Sequence, residues 1–108
     1  MFIAAYWWRV RPGKEDQFRA VWRRGTELIM QGYGSYGSRL HRTADGRFIG
    51  MAEWPDEASG RAAFEAKMAF DDHVTRAAFV DAVMEAAAEP FLLMEVTDDL
   101  LLRAARSW

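Results

Sequence analysis

Residues 2–10, Phe-Ile-Ala-Ala-Tyr-Trp-Trp-Arg-Val, read as a β-strand that is apolar on both of its faces. Side chains alternate along a strand. Phe2, Ala4, Tyr6, Trp8 and Val10 therefore fall on one side, and Ile3, Ala5 and Trp7 on the other. A sheet with helices on one side needs a single apolar face. The second must be covered by another sheet, a ligand or a partner chain. The pattern predicts an α+β protein that is not a monomer.

The rest of the chain supplies the other layers. Lys14 to about Met30 has a helical stripe of Phe18, Val21, Trp22, Gly25, Leu28 and Ile29. Glu15/Arg19 and Arg23/Glu27 stand four apart with opposite charge on the solvated side, and Gly32 offers a stop. Tyr36 to Thr43 and Arg47 to Trp54 form a hairpin around Asp45-Gly46. Pro55-Asp56-Glu57 opens a second helix, predicted to reach about Phe70 with Ala58, Arg61, Phe64 and Met68 inward.

Asp71 or Asp72 caps a third helix, from about His73 to Ala88, with Ala77, Val80, Val83 and Met84 inward. Glu89-Pro90 ends it, and Phe91 to Thr97 is a last strand, again apolar on both faces. The order β-α-β-β-α(α)-β is the ferredoxin-like split βαβ arrangement: a four-stranded antiparallel sheet with helices on one side. At 108 residues the chain is expected to form one domain, 1–108. The tail from Asp98 to Trp108 has no place in that minimal fold and is expected to lie on a partner subunit.

Composition removes several classes of function. A net charge of -2 without a basic run gives no footprint for nucleic acid. There is no Cys, which excludes disulfides, thiolate metal sites and Cys nucleophiles. The two His without clustered carboxylates predict no metal site. No apolar run approaches the roughly 18 residues of a membrane helix, so no membrane partner is expected. The start shows no basic leader region, and a cytoplasmic location is expected. No Gly-rich fingerprint for a nucleotide or flavin is present, and no cofactor is expected.

Read in order, Arg9 to Phe18 (Arg-Val-Arg-Pro-Gly-Lys-Glu-Asp-Gln-Phe), Gly37-Ser38, the Asp45-Gly46 hairpin and Ala52 to Asp56 (Ala-Glu-Trp-Pro-Asp) resemble a known family. It is the antibiotic biosynthesis monooxygenase (ABM)-like group of dimeric α/β-barrel proteins, and the resemblance runs from Phe2 to about Leu101. It implies a homodimer with two sheets face to face and a pocket between sheet and helices in each subunit. Its members include cofactor-independent oxygenases of phenols or quinols, haem-degrading enzymes, and proteins of no known activity.

Several residues can carry chemistry in such a pocket. Trp54 closes the hairpin; the resemblance implies a pocket wall, and otherwise it is a core Trp whose indole N–H finds a backbone carbonyl. Tyr6 and Tyr36 can donate a hydrogen bond to a phenolate or quinone oxygen. Arg39 and His41 are candidates for base or anion clamp. With a two-residue loop His41 opposes Gly50, and Arg39, His41, Gly50, Ala52 and Trp54 share a face; a three-residue loop turns His41 to the other face. His73 lies where haem-degrading relatives place an iron ligand, but those relatives also use an Asn, and this chain contains none.

The leading expectation is a monooxygenase that takes an electron-rich phenol or quinol with O2 and no cofactor. Trp54, Tyr36 and Tyr6 would bind the substrate, and His41 and Arg39 would act on it. The alternative is a non-catalytic dimer that binds a small apolar ligand or serves as an accessory subunit. Haem degradation ranks last.

Overall fold

The computed structural model describes residues 1–66, 71–87 and 89–101. Its elements run β1 (Phe2–Val10), α1 (Glu15–Tyr33), β2 (Gly37–Arg42), β3 (Phe48–Trp54), α2 (Glu57–Glu65), α3 (His73–Ala82), β4 (Val83–Ala86) and β5 (Leu92–Glu95). The strands form one antiparallel sheet in the order β2-β3-β1-β4, with β5 also paired to β1. The fold is ferredoxin-like α+β. Among the described residues no helix is long and apolar enough to cross a membrane.

Both short helices begin as the sequence predicts. Asp56 accepts a hydrogen bond from the Ser59 N–H at 2.7 Å, and Asp72 from the Thr75 N–H at 3.0 Å. Each carboxylate satisfies a backbone donor that the first turn leaves open. Helix α1 passes Gly32 and ends instead at Gly34, whose φ of 75° gives the left-handed cap that Gly adopts without a Cβ penalty.

The inward faces differ from expectation on the second and third helices. On α2 the buried residues are Gly60 and Ala63, while Ala58 and Arg61 are exposed. Trp54 dictates this: a Cβ at Gly60 would stand 3.2 Å from its indole ring, so the helix lies against Trp54 on its smallest residue. The predicted continuation through Met68 to Phe70 lies outside the described residues. On α3 the buried positions are Thr75 and Ala82, and Val80 is exposed.

The third helix also stops six residues early. Val83–Ala86 is a strand paired with Trp8–Val10 of β1. Met, Glu and Ala are good helix formers, but propensity is outweighed by tertiary context, and the open edge of β1 offers those residues a ladder. Strands β4 and β5 run along the same edge of β1, so the fourth strand of the expected sheet exists in two pieces.

The helix-side core is divided. One cluster joins Ala4, Trp54 and Ala63, with Phe2, Tyr6, Ile29, Tyr33 and Ala52 around it. The other joins Phe18, Phe48 and Ala82, with Trp8, Trp22, Leu40 and Phe79 around it. Phe18 and Trp54 are fully buried, and burying a side chain like Phe18 stabilises by about 2–3 kcal/mol. Across the sheet Ile3, Trp7, Ile49, Met51 and Met94 remain half-buried within one chain. The second apolar face of β1 is therefore present in the folded chain.

Candidate functional site

Between the two core clusters lies a cavity of about 680 Å³. Its floor is the sheet, through Tyr6, Trp8, Ala52, Trp54 and Ser38; its roof is α1, through Val21, Trp22, Gly25, Thr26 and Ile29. Phe64 and Glu65 of α2, Thr75, Arg76 and Phe79 of α3, and Glu89 complete the wall. The alternation of β1 aims Tyr6 and Trp8 at this side, and the register Tyr6↔Gly50 puts a residue without a side chain beneath them. Tyr6 and Trp8 are stacked, with centroids 6.2 Å apart and planes 17° from parallel. Trp8 in turn meets Phe79 edge-on at 6.1 Å. An aromatic slab of this kind suits a flat, apolar ligand.

Tyr6 and Trp54, two of the lining residues, each carry a hydrogen-bond donor. Burial pushes the Tyr6 phenol from 10.0 up to about 12, so near neutral pH it is a neutral hydrogen-bond donor. The Trp54 indole Nε1 is buried and has no hydrogen-bond partner among the described residues. It finds no backbone carbonyl, in contrast to the purely structural reading of this Trp. A buried donor left unpaired costs about 1–3 kcal/mol. Ser35 is already spoken for, accepting from the Gly37 N–H at 3.0 Å and donating to the Glu53 carbonyl at 3.1 Å.

The other predicted residues stand elsewhere. Tyr36 is exposed and does not line the cavity. Arg39 and His41 are on the opposite face of the sheet, because the hairpin loop has three residues. Thr43 and Arg47 close it through an N–H···O bond of 2.9 Å, Gly46 bonds back to the Thr43 carbonyl at 3.1 Å, and Gly46 takes a φ of 86°. That is a turn followed by a left-handed residue, and it sets Leu40 opposite Gly50 and His41 opposite Ile49.

His41 Nδ1 lies 3.1 Å from the Ile49 carbonyl, to which it can only donate. Arg39 and His41 line a second cavity of about 450 Å³ with Ile3, Met51, Val96 and residues Asp98–Leu101. His73 is exposed at the start of α3, and among the described residues no cluster of three metal-binding side chains occurs. Trp8, Trp22, Phe79, Arg76, Glu65 and Glu89 were not singled out from sequence. For Trp8 the signal existed, in its alternation with Tyr6; for the others only packing reveals it.

The ferredoxin-like frame on which this pocket is built defines a class of small α+β proteins that recurs among solved structures. A proposed antibiotic biosynthesis monooxygenase of Bordetella bronchiseptica is 20% identical, with a TM-score of 0.68 over 89% of this chain and 96% of that one. SnoaB of Streptomyces nogalater, a cofactor-independent oxygenase, is 18% identical with a TM-score of 0.62 over 92% and 95%. An uncharacterised NIPSNAP domain protein of Burkholderia xenovorans shares the fold too, at 17% identity and a TM-score of 0.57 over 90% and 95%. No curated protein matches the chain. The sequence itself matches the antibiotic biosynthesis monooxygenase family over residues 1–85, and the chain belongs to that family.

Proposed function

We propose that the protein is a small monooxygenase that works without a cofactor on an electron-rich aromatic hydroxyl compound. The aromatic cavity carries this reading, because the stacked Tyr6 and Trp8 rings suit a flat ligand and the Tyr6 O–H can donate to an oxygen on it. Family membership and the likeness to SnoaB support it. In the reaction a bound phenol loses its proton, and the electron-rich ring then reduces O2 at the carbon para to the oxygen. That C–H becomes C=O; one oxygen atom enters the quinone and the other leaves as water. The Tyr6 O–H and the Trp54 N–H would hold the negative charge on the substrate oxygen. The aromatic walls would exclude bulk water, which strengthens both interactions.

A second copy of the chain would cover the outer sheet face through Ile3, Trp7, Ile49 and Met51. Binding without turnover is the second reading, favoured by the position of Arg39 and His41 outside the larger cavity.

Oxygen uptake with a panel of naphthols, anthrols and hydroquinones, without added cofactor, separates the two. The oxygenase reading expects uptake above autoxidation that Trp54→Ala abolishes and His41→Ala leaves in place. Saturable ligand binding with no uptake across the panel would establish the binding role.

A further inference from the structure

The edge of β1 is left unpaired between β4 and β5, near Tyr6, and the break places the exposed Glu89 among the residues that line the cavity. The Ala87 N–H bonds to the Trp7 carbonyl at 3.1 Å and the Phe91 N–H to the Ala5 carbonyl at 2.9 Å. A two-residue step on β1 is thus matched by a four-residue step on its neighbour, and two residues are surplus. Pro90 has no N–H to give the ladder and holds its predecessor out of helical geometry. Glu89 sits in that surplus and lines the cavity together with Tyr6.

Among the described lining residues the titratable side chains are Tyr6 of β1, Glu65 of α2, Arg76 of α3 and Glu89. A guanidinium has no acceptor to offer, and the Tyr6 phenol is a donor. Only the carboxylates can take a proton. Glu65 is the last residue of α2, whereas Glu89 lies in the break between β4 and β5, on the edge that borders β1 near Tyr6, the donor assigned above to the substrate oxygen.

We propose that Glu89 is the proton acceptor of the reaction, carried to the substrate oxygen by the Pro90 break in the edge strand. The substrate O–H bond breaks, its proton forms a new O–H bond on a Glu89 carboxylate oxygen, and the bonding pair stays on the substrate as phenolate. Tyr6 and Trp54 then hold that oxygen. This assignment rests on the aromatic-substrate reading of the same cavity.

The test is the absorbance titration of bound 4-nitrophenol, whose ionised and neutral forms differ in colour. A carboxylate beside the bound hydroxyl disfavours phenolate, so Glu89→Gln should lower the apparent pKa of the bound probe by about one unit. Turnover of a naphthol should fall roughly 100-fold or more, while a nitro-substituted naphthol, already ionised, loses far less. Glu89→Asp should recover part of the naphthol rate, which a merely structural role would not predict. Identical probe titrations in the parent protein and Glu89→Gln overturn the assignment, as does a shift found in Glu65→Gln instead. Failure of the parent protein to bind the probe saturably overturns the aromatic-cavity reading itself, and the Glu89 assignment with it.

Discussion

Gly50 lies directly beneath the Trp8 indole: a Cβ at position 50 would stand 2.8 Å from Trp8 Cζ3 and 2.9 Å from Cη2. The missing side chain on β3 is what lets the Trp8 ring lie down on the sheet and form a wall of the cavity. Trp8 cannot simply retreat, since its ring is already packed on Phe18 at 5.5 Å and on Phe79. Gly50→Ala should therefore destabilise the fold by about 1–3 kcal/mol through overpacking, and should weaken aromatic ligands as the ring is driven into their space. Urea unfolding and ligand titration measure both; an unchanged midpoint with unchanged affinity would refute the relationship.

Trp54→Phe keeps an aromatic ring against Gly60 but removes the unpaired N–H. Affinity for 1-naphthol should fall by about 1 kcal/mol, roughly fivefold, while affinity for naphthalene changes much less. Equal losses for the two ligands would show that the indole contributes shape and no hydrogen bond.

Tyr6 has a raised folded-state value, about 12 against 10.0, because burial disfavours the phenolate. The sign follows: the stability that depends on a neutral Tyr6 is complete below pH 10 and is lost as pH climbs toward 12. The ultraviolet alkaline titration of the parent protein minus that of Tyr6→Phe should show a step near the upper value. A difference step at 10 would mean that Tyr6 is solvated.

At the hairpin tip, Asp45 is held down to about 2 from 3.8, first by the Thr43 hydroxyl and then by the Arg47 backbone N–H and side chain. A depressed carboxyl contributes above its unfolded value, and the contribution disappears as pH falls from about 4 toward 2. Asp45→Asn should flatten the acid side of the stability profile, with urea midpoints compared at pH 6 and pH 3. Parallel losses in both proteins would place the acid sensitivity elsewhere.

Met51 lies on the outer sheet face opposite Arg39, between Ile49 and Glu53 along β3. If a second copy covers that face, Met51→Lys should convert a dimer to a monomer in sedimentation velocity, since a cation beside Arg39 would be buried unpaired at the contact. A parent protein that already sediments as a monomer would reject the proposed assembly.

Much of this molecule is written in local chemistry. The alternation of Phe2 to Val10 declares a strand with two apolar faces, and Asp56 and Asp72 cap helices through a backbone N–H three residues on. Such features involve neighbours within a few residues, so the sequence by itself carries them. The sequence also carried the family and the split βαβ order.

What tertiary structure decided were choices between local options of nearly equal energy. Asp45-Gly46 fits a two- or a three-residue loop, and the longer one turned His41 to Ile49 and away from the larger cavity. Val83–Ala86 could have continued α3, but the free edge of β1 took it as a strand. Two surplus residues before Phe91 then brought Glu89 to the cavity beside Tyr6. Register, edge pairing and an unpaired indole N–H depend on residues tens of positions apart, and only a packed chain brings those together.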